Sequence, residues 1–178
     1  GGDPARGLVL LPCELTERNG DVLRDAVLKH AADWGWPEAF GEWVERHNRF
    51  LNTLVDRIVT GYPEAEQAEK WFADWGYRDA MLTTAEPYHL WAIEGPEELD
   101  DELGLRKAGL NVHYTRDLAF FRERKVRILN GAHTWMAPIG LLHGVATVRE
   151  ALGHPVLGPA VREAVYGEIV PATAGAGE

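Results

Sequence analysis

The apolar pattern changes character once along this chain, and that change limits the folds open to it. Up to about residue 115, short apolar and β-branched runs alternate with stretches of helical period; beyond it no strand pattern recurs. Residues 8–13 predict a buried strand, Asn19-Gly20 a turn, and Asp21 the cap of a helix carrying Val22, Leu23, Ala26, Val27 and Ala31 at helical spacing. After a break at residues 34–37, a second helix places Phe40, Trp43, Val44, His47 and Leu51 on one side. Residues 53–59 predict a strand carrying the charged pair Asp56-Arg57, closed by Gly61-Tyr62-Pro63. A helix over 64–75 and strands over 88–93 and 110–114 follow. Residues 117–142 read as one long helix with Pro138 as a kink, and shorter helices cover 145–152 and 156–169. The fold class expected is α/β: part of a Rossmann-type domain over residues 1–115, running into an α-helical domain over 116–178.

With 46% hydrophobic and 26% charged residues over 178 positions, the chain can bury a core and is globular rather than disordered. Its net charge of −10 excludes a general nucleic-acid binder, which needs basic surface to displace counterions from phosphate. A local basic patch for a small anion remains compatible with that balance. The one cysteine, Cys13, rules out a disulfide within the chain; it reads as a buried, inert thiol and suits a cytoplasmic protein. No apolar run reaches the roughly 20 residues that span a bilayer, so no membrane partner is expected. Residues 1–7 lack the basic and apolar regions of a leader, and with no initiator methionine the chain is expected to begin inside a longer reading frame. Trp34, Trp36, Trp43, Trp71 and Trp75 fall at helical spacing or helix ends and are expected in the core. The tail over 172–177 is built of small residues.

Chemistry concentrates in residues 120–133, FFRERKVRILNGAH. On an α-helix turning 100° per residue, Lys125, Asn130 and His133 project at about 0°, 140° and 80°, with Arg122 at about 60°. A carbonyl under reduction by hydride gathers negative charge on oxygen, and needs a proton donor and hydrogen-bond donors aimed there. A lysine ammonium can give the proton, more readily where burial or a nearby cation weakens its hold. An asparagine and a histidine can supply the other contacts without a metal. The spacing alone leaves a solvated helix face as an open alternative. No His-Glu-x-x-His or other metal-ligand spacing occurs among the seven histidines.

Lys125-x4-Asn130-x2-His133 resembles the catalytic signature of the long-chain mannitol dehydrogenase family. Asn52-Thr53-Leu54-Val55-Asp56-Arg57-Ile58 is similar to a second motif of that family, Asn-x-x-Val-Asp-Arg-Ile, which lies near nicotinamide and substrate. The resemblance runs from about residue 7 to 171. Leu11-Pro12-Cys13-Glu14-Leu15, Arg18-Asn19-Gly20 and Thr84-Ala85-Glu86 look like its tagaturonate-reducing branch. It implies an NAD-dependent, metal-free enzyme interconverting D-tagaturonate and D-altronate in cytoplasmic hexuronate breakdown. Lys125 would be the acid/base, with Asn130 and His133 on the reacting oxygen. Asn52, Asp56, Arg57, Glu86 and Arg122 would lie near substrate or cofactor. A uronate carboxylate needs a cation, and Arg57, Arg122 and Arg127 are candidates. Arg57 is equally readable as a structural partner of Asp56, and Glu86 as a residue flanking a strand.

Two departures from the family pattern matter. No Gly-x-Gly-x-x-Gly for the cofactor pyrophosphate occurs, and the resemblance fades at the small-residue tail. Fructuronate or mannitol/fructose oxidoreduction, and a catalytically silent truncated module, are the alternatives. Exposed apolar surface and self-association of the chain are expected where further halves of a family member would dock.

Overall fold

The structure, a computed structural model, describes residue 3 and residues 6–174. Residues 1, 2, 4 and 5, within the stretch read as lacking a leader, and residues 175–178, which include the end of the small-residue tail, lie outside the described residues. The chain divides into two compact units, Gly1–Arg116 and Asp117–Glu178.

The first unit is built on a three-stranded sheet. In it β3 (Thr53–Asp56) runs antiparallel to β6 (Leu90–Glu94), and β6 runs parallel to β7 (Val112–Thr115). Period-two alternation decides the faces: Val112 and Tyr114 of β7 are buried, His113 and Thr115 half-buried. Ile93, Leu99, Val112 and Tyr114 form the core, with Leu51, Trp91, Leu103 and Leu105 against it. Residues 8–13 reduce to β1 (Val9–Leu10), paired in parallel with β2 (Arg49–Phe50). A short antiparallel pair joins β4 (Val59–Gly61) to β5 (Thr84–Ala85).

Several sequence expectations change here for physical reasons. Asn19-Gly20 is the buried start of α1 (Asn19–Asp33), not a turn; the chain turns at Arg18, which has a φ of 52°. Glycine is required at 20 because a Cβ there would sit 2.5 Å from the Leu51 carbonyl carbon and 2.7 Å from the Asn52 nitrogen. Leu51 is not helical, because α2 (Glu38–His47) gives way to extended backbone at Asn48. The strand expected over 53–59 breaks after Asp56, where Ile58 bonds to Glu86 instead of continuing the ladder. Beyond α3 (Ala65–Trp75) lies an unforeseen helix, α4 (Leu99–Leu103), too short to show a period, whose Leu99 plugs the core. Trp34, Trp36 and Trp75 are 69%, 52% and 43% exposed, so they are not core residues. Instead they pair locally: His30 stacks on Trp34, Trp36 meets Phe40 edge to face, and Trp71, Trp75 and Tyr77 stack in turn. Leu23, Val27, Trp34, Trp36 and Phe40 border an apolar groove of about 250 Å³.

The second unit is helical. Residues 119–142 form one uninterrupted helical run in three parts: α5 (Ala119–Glu123), a π-helical stretch (Arg124–Asn130) and α6 (Gly131–Leu142), with Pro138 inside the last. A capping box opens α7 (Val148–Gly153): Thr147 accepts from the Glu150 amide while the Glu150 carboxylate accepts from the Thr147 amide. Then come α8 (Leu157–Glu163), a second π-helical stretch (Ala164–Ile169) and α9 (Val170–Ala174). A Cβ on Gly158 would lie 2.4 Å from the Leu152 carbonyl oxygen, so glycine lets the start of α8 approach the end of α7. Met136, Ala151 and Val161 make the core, with Trp135, Val145 and Val165 against them.

Candidate active site

The helical unit carries the three residues singled out for chemistry. Lys125 and Asn130 both lie in the first π-helical stretch, and His133 lies in the first turn of α6. Lys125 is half-buried, whereas Asn130 and His133 are exposed. Among the described residues the Asn130 amide has no hydrogen-bond partner. The His133 Nδ1 lies 2.8 Å from the Leu129 carbonyl oxygen and donates to it. In the neutral ring this leaves Nε2 as an acceptor, suited to a hydroxyl; it becomes a donor only when the ring is protonated. His133, Met136, Ala137, Leu141, Val145 and Thr147 line a cavity of about 170 Å³. The wide turn also breaks the premise of the 100° projection, because an i→i+5 helix turns less per residue.

The basic run around Lys125 separates into distinct roles. Arg127 is ion-paired to Glu123 through Nε and Oε2, and so is already engaged as a carboxylate ligand. Arg124 lies over the Phe120 ring, 5.3 Å from its centre. Arg122 lies half-buried on α5.

In the first unit, Arg57 and Glu86 are brought together. Arg57 Nε donates to the Glu86 carbonyl at 2.9 Å, and the Glu86 carboxylate accepts the Ile58 amide at 2.8 Å. Glu86 therefore clips the segment after β3, while the exposed terminal nitrogens of Arg57 have no partner among the described residues. Asp56, half-buried, ends β3 opposite Leu90. Asn52 sits at the other end of that strand, 6% exposed. Its Nδ2 donates to Glu94 at 2.7 Å and to Asp21 at 3.2 Å, and its Oδ1 accepts the Asp21 amide. Its amide is thus spent on the protein. Desolvation works against ionisation of Asp21, but the Asn52 bond and the nearby Arg18 guanidinium together hold its carboxyl below the usual range.

Sequence reasoning missed Asn19, which is 4% exposed. Its Nδ2 reaches the carbonyls of Pro12, Glu14 and Thr53 at 2.9, 3.0 and 3.1 Å, and its Oδ1 accepts the Thr53 amide at 2.8 Å. One side chain thereby ties the segment after β1 to the start of β3. The advance signals were a strong turn former directly ahead of a helix and its place in the family-like run Arg18-Asn19-Gly20. Cys13 is exposed rather than buried, because its strand ends at Leu10. Partial desolvation and the Glu14 carboxylate push its thiol up, which disfavours the thiolate. Among the described residues no cluster of three or more histidine, cysteine or acidic side chains is placed to hold a metal ion.

Residues 3–107 match the family model described as the mannitol dehydrogenase Rossmann domain, and residues 117–176 match the mannitol dehydrogenase C-terminal domain. The chain is 47% identical over 170 residues to an altronate oxidoreductase of Bacillus subtilis (strain 168), covering 96% of this chain and 35% of that protein. It is 46% identical, with the same coverage, to an altronate oxidoreductase of Escherichia coli O7:K1 (strain IAI39 / ExPEC). Among solved structures it resembles D-sorbitol dehydrogenase in substrate-free form, with a TM-score of 0.71 and 27% identity over 92% of this chain and 32% of that one. The mannitol 2-dehydrogenase of Pseudomonas fluorescens, in ternary complex with NAD and D-mannitol, aligns with a TM-score of 0.59 and 25% identity over the same shares. The chain spans about a third of the length of the curated relatives it matches.

Proposed function

The chain belongs to the mannitol dehydrogenase family, and on that premise we propose that it carries the catalytic helix of an NAD-dependent oxidoreductase interconverting D-tagaturonate and D-altronate. The observation that carries this reading is the 47% identity to altronate oxidoreductase, which runs over 96% of the chain. Residues 1–115 are then the later part of the nucleotide-binding domain, and 116–178 the start of the helical substrate domain. The reaction is that of a cytoplasmic step in hexuronate breakdown.

The donor set fits a nicotinamide reaction at its chemical end only. Lys125, Asn130 and His133 offer a proton and polar contacts with no metal, while no residue run here is the glycine turn that would cradle the pyrophosphate. The nicotinamide cofactor, when bound, would supply the hydride as NADH or accept it as NAD. In the reducing direction the Lys125 ammonium gives its proton to the ketone oxygen as that oxygen gains charge. The Asn130 amide, without a partner among the described residues, donates to the same oxygen. The His133 Nε2, with its Nδ1–H fixed on Leu129, accepts from a neighbouring hydroxyl of the sugar acid, so the reacting hydroxyl keeps its one proton for Lys125. In the oxidising direction Lys125 Nζ takes the hydroxyl proton back. Arg57 and Arg122 are the cations assigned to the substrate carboxylate, with Glu86 holding the Arg57 segment and Asp56 beside it. Asn52 supports this region from within the fold.

A polyol reading has one observation in its favour, the likeness to a mannitol 2-dehydrogenase bound to D-mannitol. The deciding experiment follows NADH oxidation by the full-length reading frame with D-tagaturonate, D-fructuronate and D-fructose, alongside Lys125→Ala. Clear preference for tagaturonate and a loss of at least about 100-fold in the variant are expected. Preference for fructose would overturn the substrate, and an unaffected variant would overturn the role of Lys125. Turnover of none of the three would favour the silent module. The apolar groove bordered by Trp34 and Trp36 supports the expectation that further chain, or a second copy, covers this surface.

A further inference from the structure

We propose that the π-helical stretch Arg124–Asn130 is a positioning device: it absorbs one extra residue between Lys125 and Asn130 and so turns both toward the face that carries His133. The inference rests on the reading of these three as the reacting group, and adds how the fold aligns them.

In a regular α-helix Asn130 would stand about 140° from Lys125 around the axis, pointing partly away from it. An i→i+5 helix holds roughly 4.4 residues per turn, so each advances about 82°. Five such steps bring Asn130 to about 50° from Lys125. Three ordinary α-helical steps then return His133 to about −10°, directly in line with Lys125. Arg122, two α-helical steps and one wide step before Lys125, lies near ~80°. The reacting three occupy an arc of about 60°, where the regular helix spreads them over about 140°.

The wide turn is bonded and buttressed. The Gly131 amide donates to the carbonyl of Val126, five residues back, which is the bond that defines such a turn. The Ile169 side chain, last in the second π-helical stretch, lies 3.8 Å from where a Gly131 Cβ would be and covers the exit of the first. The helical dihedrals continue on both sides, with Glu123 at −55°, −48° and Gly131 at −58°, −47°, so the extra residue is accommodated without breaking the helix. Wide turns of this kind are rare and recur at functional sites.

Two measurements on the full-length reading frame test this. The first reads geometry without activity. In Lys125→His/Asn130→His/His133→Ala, the two introduced imidazoles are five residues apart. They can bind one metal ion only if the wide turn sets them one above the other. Nickel(II) should raise the melting temperature of this variant by several degrees, and leave Asn130→His/His133→Ala unmoved. No difference between the two would overturn the inference. The second deletes Val126, which is half exposed. A regular α-helix then places Lys125 and Asn130 four apart, on one face again. Activity should persist within about tenfold, with the pH profile of kcat unchanged. A folded but inactive deletion, or one with a displaced profile, would overturn the inference. Full activity in Lys125→Ala would instead overturn the reacting group itself, whatever the nickel result.

Discussion

Replacing Asn19 with alanine should cost more stability than any surface change in the first unit. The structure gives the magnitude. The side chain makes four bonds to backbone groups, and those to the Thr53 amide and carbonyl are buried. The Pro12 carbonyl keeps a second partner, the Thr53 hydroxyl, and Glu14 is exposed, so water can replace its bond. Two buried backbone groups therefore lose their partner. At about 1–3 kcal/mol each the loss is about 2–6 kcal/mol, with the lower end reached if water enters the space left. Against a typical domain stability of about 5–15 kcal/mol this is a large fraction. Urea denaturation of the full-length protein measures it, with hydrogen exchange reporting on the Thr53 peptide. Asn19→Asp is the informative companion, because it keeps the acceptor for the Thr53 amide but sets a carboxylate against three carbonyl oxygens. It should be at least as destabilising as alanine. A loss below about 1 kcal/mol for Asn19→Ala, at unchanged denaturant slope, would refute the idea that this side chain ties β3 to the segment after β1.

Arg57→Ala should raise KM for D-tagaturonate by about 10- to 100-fold, the worth of a charged hydrogen bond, and leave weak turnover of D-fructose untouched. Equal effects on both sugars would show that Arg57 serves structure rather than the carboxylate. Gly131→Ala should stabilise the protein by about 0.5–1 kcal/mol, since the position is helical and the new methyl would meet Ile169 at an ordinary 3.8 Å. A drop in melting temperature would contradict that packing. Asp100 is held below its ordinary value of 3.8 by the Arg106 amide, against desolvation, and by the Tyr114 hydroxyl. Its contribution to stability is therefore complete above that ordinary value and is lost as pH falls through the lowered one. Asp100→Asn should flatten the acid limb of the stability curve; parallel acid limbs in variant and parent would rule the contribution out.

What the chain disclosed in advance was what short-range spacing encodes. The switch from alternating strands and helices to helices alone follows from local periods, and so does the expected place of α3, β6 and α6. The buried ends of polar side chains did not show, because their partners are remote in sequence: Asn52 meets Asp21 and Glu94, 31 and 42 positions away. The exposure of Trp34 and Trp36 was equally hidden. A helical period says which face is apolar, and says nothing about whether another element covers it.

The two asparagines of the matching motifs make the limit concrete. In the sequence Asn52 and Asn130 stand alike, each a short amide directly after a leucine. Folding separates them by the partners it supplies. Asn52 is buried, and its amide answers a carboxylate on either side, so it cannot donate elsewhere without leaving buried acceptors unpaired. Asn130 is exposed on a wide turn, with no partner among the described residues and a histidine three positions on. An amide that keeps its hydrogens for a ligand must be denied them by its own protein. The same wide turn that brings Asn130 round toward Lys125 also leaves its side chain on the open face of the helix. A period count made at 100° per residue could see neither effect, because one absorbed residue leaves no mark in composition and only a local change in hydrogen bonding.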